Sequence, residues 1–194
     1  MKYVVQLSDS ERHDLQRLIG LPLRHVQDNG WDATAQIGDF LVTFTPDEVP
    51  TPDAAHARGD AVRPSLALQP AVADSSLPAI GVISSIRISS TFLTLSPPVE
   101  CAPFQLTPTV TFPASIGYGP IFLSAAEAAQ ISDFSHDHAV VHLDVAVSFH
   151  TDTGHSVCFF TDGVGFFVHV ARDTEPSCEW SARVTHHELL DRNA

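Results

Sequence analysis

Between Ser135 and His155 the chain reads SHDHAVVHLDVAVSFHTDTGH, which places five histidines and three aspartates in one short run. Imidazole and carboxylate groups are the ligands zinc takes, and an imidazole beside a serine is the start of a nucleophilic site. His136 and His138 stand two residues apart, the spacing with which neighbouring positions on one side of a strand chelate a single ion. His142 and Asp144 continue on that side. Each step of two residues advances about 6.6 Å, so Asp144 lies about 26 Å from His136 in a straight strand and the four cannot share one ion.

Pairing the strands on their turns brings a second set together, with His150, Ser156 and His169 in one row across three strands. Strands are about 4.8 Å apart, so the Cα atoms of His150 and His169 are about 10 Å apart, wide for joint ligation. No Asp or Glu stands in the row to orient an imidazole, as triads and metal-bound histidines require. The metal candidates are therefore His136, His138, His150 and His169, all weak, and the bland reading of this run is a solvated strand face. No catalytic residue and no cofactor is assigned. The chain contains no GxSxG, HExxH or P-loop pattern, and Gly117 and Gly119 do not complete a dinucleotide fingerprint. The tripeptide RGD at Arg58–Asp60 is short enough to recur by chance.

Acidic residues outnumber basic ones 23 to 10, giving a formal charge of −13. A surface of that sign repels phosphate backbones and anionic lipid, so neither nucleic acid nor membrane is expected as a partner, whereas a basic protein is admitted. No apolar run approaches the length of a membrane span. The opening MKYVVQLSDSE lacks the apolar core of a signal peptide, and the three cysteines, Cys101, Cys158 and Cys178, fit no disulfide framework or CxxC pair. The expectation is a cytoplasmic protein. With 194 residues and twelve phenylalanines, it should form a single domain spanning 1–194.

Two capping boxes set the helices. Ser8 precedes Glu11 by three residues and Ser124 precedes Glu127 by three, so two short helices are expected, the second running to about Phe134. Arg12, His13, Asp14 and Arg17 then read as the solvated side of the first. The rest reads as β-meander. A turn at Asn29-Gly30 pairs Asp28 with Trp31 and Val26 with Ala33; one at Gly38-Asp39 pairs Ile37 with Phe40, Ala35 with Val42 and Ala33 with Phe44. The TDTG turn at Thr151–Gly154 pairs Phe149 with Val157 and Val147 with Phe159. Asp162-Gly163 sets Phe159 opposite Phe166 and Val157 opposite Val168. FQLTPTVTF, Phe104–Phe112, reads as one strand that Pro108 confines to an edge.

The fold class expected is α+β: predominantly antiparallel sheet, a sandwich or open barrel built from meanders, with two short capped helices. The strand–helix–meander unit occurs at about 3–45 and 118–171 and reads as a candidate internal repeat. In the second meander Ala146, Cys158, Phe160 and Phe167 gather on the face away from the core. A face with two phenylalanines and a cysteine needs a cover, so Cys158, Phe160 and Phe167 are taken as an interface, for the second helix or for another subunit in a homodimer. Three functions compete. A non-catalytic interaction or assembly module is preferred over an acidic inhibitor or immunity-type protein for a basic enzyme, and over a metal-dependent enzyme or metal-binding protein using the histidine-bearing face.

Overall fold

The computed structural model describes residues 2–49, 61–71, 77–95, 105–107, 110–111, 121–123, 139–162, 167–174, 176, 184 and 186–191. In chain order these form β1 (Lys2–Val5), α1 (Asp9–Leu18), β2 (Pro22–Asp28), β3 (Ala33–Ile37), β4 (Phe40–Val49), β5 (Ala61–Pro70) and β6 (Gly81–Leu95). There follow β7 (Gln105–Thr107), β8 (Val110–Thr111), β9 (Ile121–Leu123), β10 (Ala139–Thr151), β11 (Ser156–Phe160), β12 (His169–Arg172) and β13 (His186–Leu190). The protein is mostly antiparallel β-sheet, as the alternation and turn chemistry imply. Among the described residues there is one helix, and the second capped helix, Ser124 to Phe134, lies outside them, as do His136 and His138.

The main sheet is open, in the order β12-β11-β10-β6-β2-β3-β4-β5, with β1 beside β10 and β13 and β9 beside β6. Only β1 and β10 run parallel among the described pairings. Strand β6 joins two half-sheets: its first residues pair with β2 and nearly all the remainder with β10. The halves face each other across the core. Phe44 of β4 stacks on Phe159 of β11 at 4.4 Å between centroids and meets Phe149 of β10 edge-on at 6.0 Å. Leu15 and Leu18 of α1 close the same cluster.

The capping box forms as its spacing requires: Ser8 N–H donates to Glu11 Oε2 (2.7 Å) and Glu11 N–H to Ser8 Oγ (3.2 Å). The Gly38-Asp39 register is as expected at all three pairs. At Thr151–Gly154, Phe149 pairs with Val157 and Val147 with Phe159, and Gly154 takes φ +83°, the left-handed conformation open to glycine at little cost. Gly81 is required for a different reason. A Cβ there would lie 2.7 Å from Thr151 Cβ and 2.5 Å from Thr153 Oγ1, because β6 starts hard against the β10–β11 turn.

Three expectations are corrected. The first hairpin closes with Asp28 opposite Ala33 and Val26 opposite Ala35, leaving Asn29–Asp32 as a four-residue loop. Asp28 Oδ1 accepts the Gly30 amide (2.9 Å) and Asn29 N–H bonds the Asp32 carbonyl (2.9 Å), so the turn forms one step wider than Asn-Gly alone would make it. A shift of two leaves residues 26–28 and their partners on the expected faces, while a register shift between Leu23 and Val26 brings Leu23 to the core as well. Second, β11 and β12 pair Phe159 with Val170 and Val157 with Arg172, not with Phe166 and Val168. Thr161, just past β11, is engaged elsewhere: its amide bonds Val145 O (3.0 Å) and its hydroxyl bonds Val62 O (2.9 Å), so the chain is not free to turn back at Asp162-Gly163. Third, β7 and β8 pair with each other instead of making one edge strand.

Candidate interaction surface

The histidine row does not assemble. His150 lies opposite Ser156, but His169 lies opposite Phe160, four residues and about 13 Å farther along the strand than the row requires. Beside Ser156 stands Asp173 instead. Its backbone N–H bonds Ser156 O (3.0 Å), and its carboxylate accepts the Ser156 amide (2.8 Å) and faces His155 Nδ1 (3.0 Å). The Ser156 amide, then His155, hold Asp173 below the usual carboxylate range. Both members of this pair are about half exposed, and their bonds tie the end of β12 to the start of β11. No three His, Cys, Asp or Glu side chains gather as a metal site among the described residues.

The charges that do converge bind α1 to the sheet. Asp144 is fully buried, accepting hydrogen bonds from the Leu7 amide (2.9 Å), the Ser90 hydroxyl (2.7 Å) and Arg12 Nη2 (3.2 Å). Arg12 Nε donates in turn to Glu188 (3.0 Å), and its Nη1 to Leu7 O. One residue earlier, Glu11 reaches the other half-sheet, accepting from Arg63 Nη1 (2.8 Å), Ser65 Oγ (3.1 Å) and Leu66 N–H (3.1 Å). Adjacent helix residues thus fasten β5 on one side and β10 with β13 on the other. A β-bulge between Asp144 and Ala146 accompanies this junction. Neither Arg12 nor Asp144 is the solvated residue that alternation suggests; an acid inside a run of valines was the available sign. His142, stacked on Phe92 at 4.7 Å, has its pKa lowered by burial, with the Asp144 charge opposing and His186 adding to the fall. These groups are engaged with one another and act as fasteners.

The reverse face of the second meander is closed within one chain. Ala146, Cys158 and Phe160 are 1%, 5% and 9% exposed, whereas Phe167 is 42% exposed.

Phe167 has a companion that the sequence did not reveal. Trp31 is 64% exposed, and its ring lies 5.3 Å from that of Phe167 with the planes 41° apart. The rings continue inward, Phe167 to His169 at 6.2 Å and His169 to Phe160 at 5.4 Å. The wide hairpin loop places Trp31 outside the strand pairing, and Arg172 Nη2 donates to Val26 O (2.6 Å), holding β12 against β2. Asp28 and Asp32 flank the tryptophan, each with one carboxylate oxygen bonded within the loop. Among the described residues the other exposed large apolar side chains, Val4, Leu41, Val82 and Leu189, are spread over β1, β4, β6 and β13. A depression of about 300 Å³ beside Leu21, Arg24, Asp39 and Phe40 carries charges of both signs and offers a ligand no single complement. Comparison with protein-family models, with curated proteins and with solved structures gives no match.

Proposed function

We propose that this chain is a non-catalytic interaction module that binds a partner protein through the Trp31–Phe167 surface. The observation that carries the reading is the pair itself, a tryptophan and a phenylalanine in contact and both well exposed. Exposed aromatic pairs lose unfavourable contact with water when covered, and tryptophan is among the residues that dominate binding energy at protein interfaces. The hydrogen-bonded loop sets in advance the backbone that carries Trp31, so less order has to be gained there on binding. The three-cysteine count and the buried thiol of Cys158 accord with action in a reducing cytoplasm.

The test is site-specific photo-crosslinking in the cells that make the protein, with benzoylphenylalanine at position 31 and, as control, at the exposed Gln69 of β5. Position 31 is expected to capture one discrete partner that position 69 does not, and Phe167→Ser in the same chain should abolish the capture. A second copy of this chain would register as one such partner. Equal, scattered capture from both positions would overturn the proposal.

A further inference from the structure

We infer that the partner is a basic protein and that the Trp31–Phe167 pair receives one of its arginine or lysine side chains; this rests on the interaction surface proposed above. Three observations converge. The first is the ring chemistry. The face of an indole carries negative charge and attracts a cation placed within about 6 Å of its centroid. With Trp31 64% exposed and tilted 41° against Phe167, the indole is open to such a group.

The second is local charge. From His25 to Glu48 the sequence contains no lysine or arginine, yet it carries Asp28, Asp32, Asp39, Asp47 and Glu48. Two of these acids stand within three residues of Trp31. Asp28 Oδ1 accepts the Gly30 amide and Asp32 Oδ1 accepts Asn29 Nδ2; a carboxylate so bonded has further acceptor sites. Arg172, on the adjoining strand, directs Nη2 to Val26 O. A neutral apolar partner closing over Trp31 would strip water from two carboxylates without replacing it, a cost that a cationic partner avoids by pairing with them.

The third is the field of the whole chain. At −13 it repels polyanions and draws basic proteins toward the surface before contact. The aromatic pair then supplies what a diffuse field lacks, a defined seat for one side chain.

The test uses three nine-residue peptides, alternating Arg-Gly, alternating Glu-Gly and an uncharged Leu-Ser repeat, titrated into the full chain carrying Trp180→Phe. The only remaining tryptophan is then Trp31. The Arg-Gly peptide is expected to change Trp31 emission saturably, and calorimetry should show its affinity falling about tenfold in Trp31→Ala. Asp28→Asn with Asp32→Asn should weaken it as well and flatten its salt dependence; asparagine keeps the acceptor that forms the turn, so the loop survives. Equal affinity of the Arg-Gly peptide for wild type and Trp31→Ala would overturn the inference, since the attraction would then be general. So would Trp31-dependent binding of the Leu-Ser peptide alone, an outcome that leaves the interaction surface standing and removes only the cationic partner. The surface itself fails separately, on equal, scattered crosslinking from positions 31 and 69.

Discussion

Replacing Glu11 with glutamine removes a charge while keeping the length of the side chain, and the structure sets the size of the effect. Glu11 is 8% exposed. Its Oε2 accepts from the Ser8 amide and hydroxyl and from Arg63, and its Oε1 from Ser65 and the Leu66 amide. Burial pushes its pKa up, but the Ser8 amide, Arg63, the Leu66 amide and the Ser8 hydroxyl together outweigh burial and bring it from 4.5 down to about 2. A gap of about 2.5 pH units corresponds to about 3 kcal/mol, at about 1.4 kcal/mol per unit. Because the folded pKa is the lower one, this stabilisation is complete above pH 4.5 and is lost as the pH falls through about 2. Glutamine also turns an NH₂ toward groups that are themselves donors, on one side or the other. Urea unfolding followed by circular dichroism should therefore find Glu11→Gln less stable than wild type by about 3 kcal/mol at pH 7, with Tm lower by about 6–12 °C. The gap between the two should shrink to less than half at pH 3. A Tm within about 2 °C of wild type, or a gap equal at pH 7 and pH 3, would refute the fastening role given to Glu11.

Asp144→Asn should be at least as costly, by about 3–5 kcal/mol, since Arg12 would lose the buried carboxylate it faces; calorimetry at pH 7 checks this, and a loss below about 1 kcal/mol would contradict it. Gly81→Ala should destabilise by about 1–3 kcal/mol, because Thr151 Cβ cannot move without the β10–β11 turn. Urea midpoints equal to wild type would show that the strand start has slack.

What the sequence made legible was local. The Ser8–Glu11 box, the Gly38-Asp39 turn and the Thr151–Gly154 turn each rest on residues a few positions apart, and all three form with the expected partners. Two of the misses came where a distant group competed. Thr161 is held by Val145 and Val62, which no reading of Asp162-Gly163 includes, and the β11–β12 register moved by four in consequence. Arg12 lies 132 residues from Asp144 and 176 from Glu188, so its place on the polar side of α1 gave no sign of burial. The candidate surface was half visible. Phe167 stood out because its face was crowded with apolar residues, whereas Trp31 was assigned to a strand end, because the Asp28 side chain's claim on the Gly30 amide is not part of the Asn-Gly rule. The parity of residues 26–28 and of β12 survived these slips, since they were shifts of two and four, whereas the register shift between Leu23 and Val26 turns both of those residues to the core.

The account stands most directly on Trp31, and acrylamide quenching of its emission tests it. In the chain carrying Trp180→Phe, isolated Trp31 should be quenched nearly as freely as indole in water, and quenching should fall severalfold once the partner captured from position 31 is added. A Trp31 already shielded in the isolated chain, or one whose quenching the partner leaves unchanged, would contradict the proposal that this surface is where the protein works.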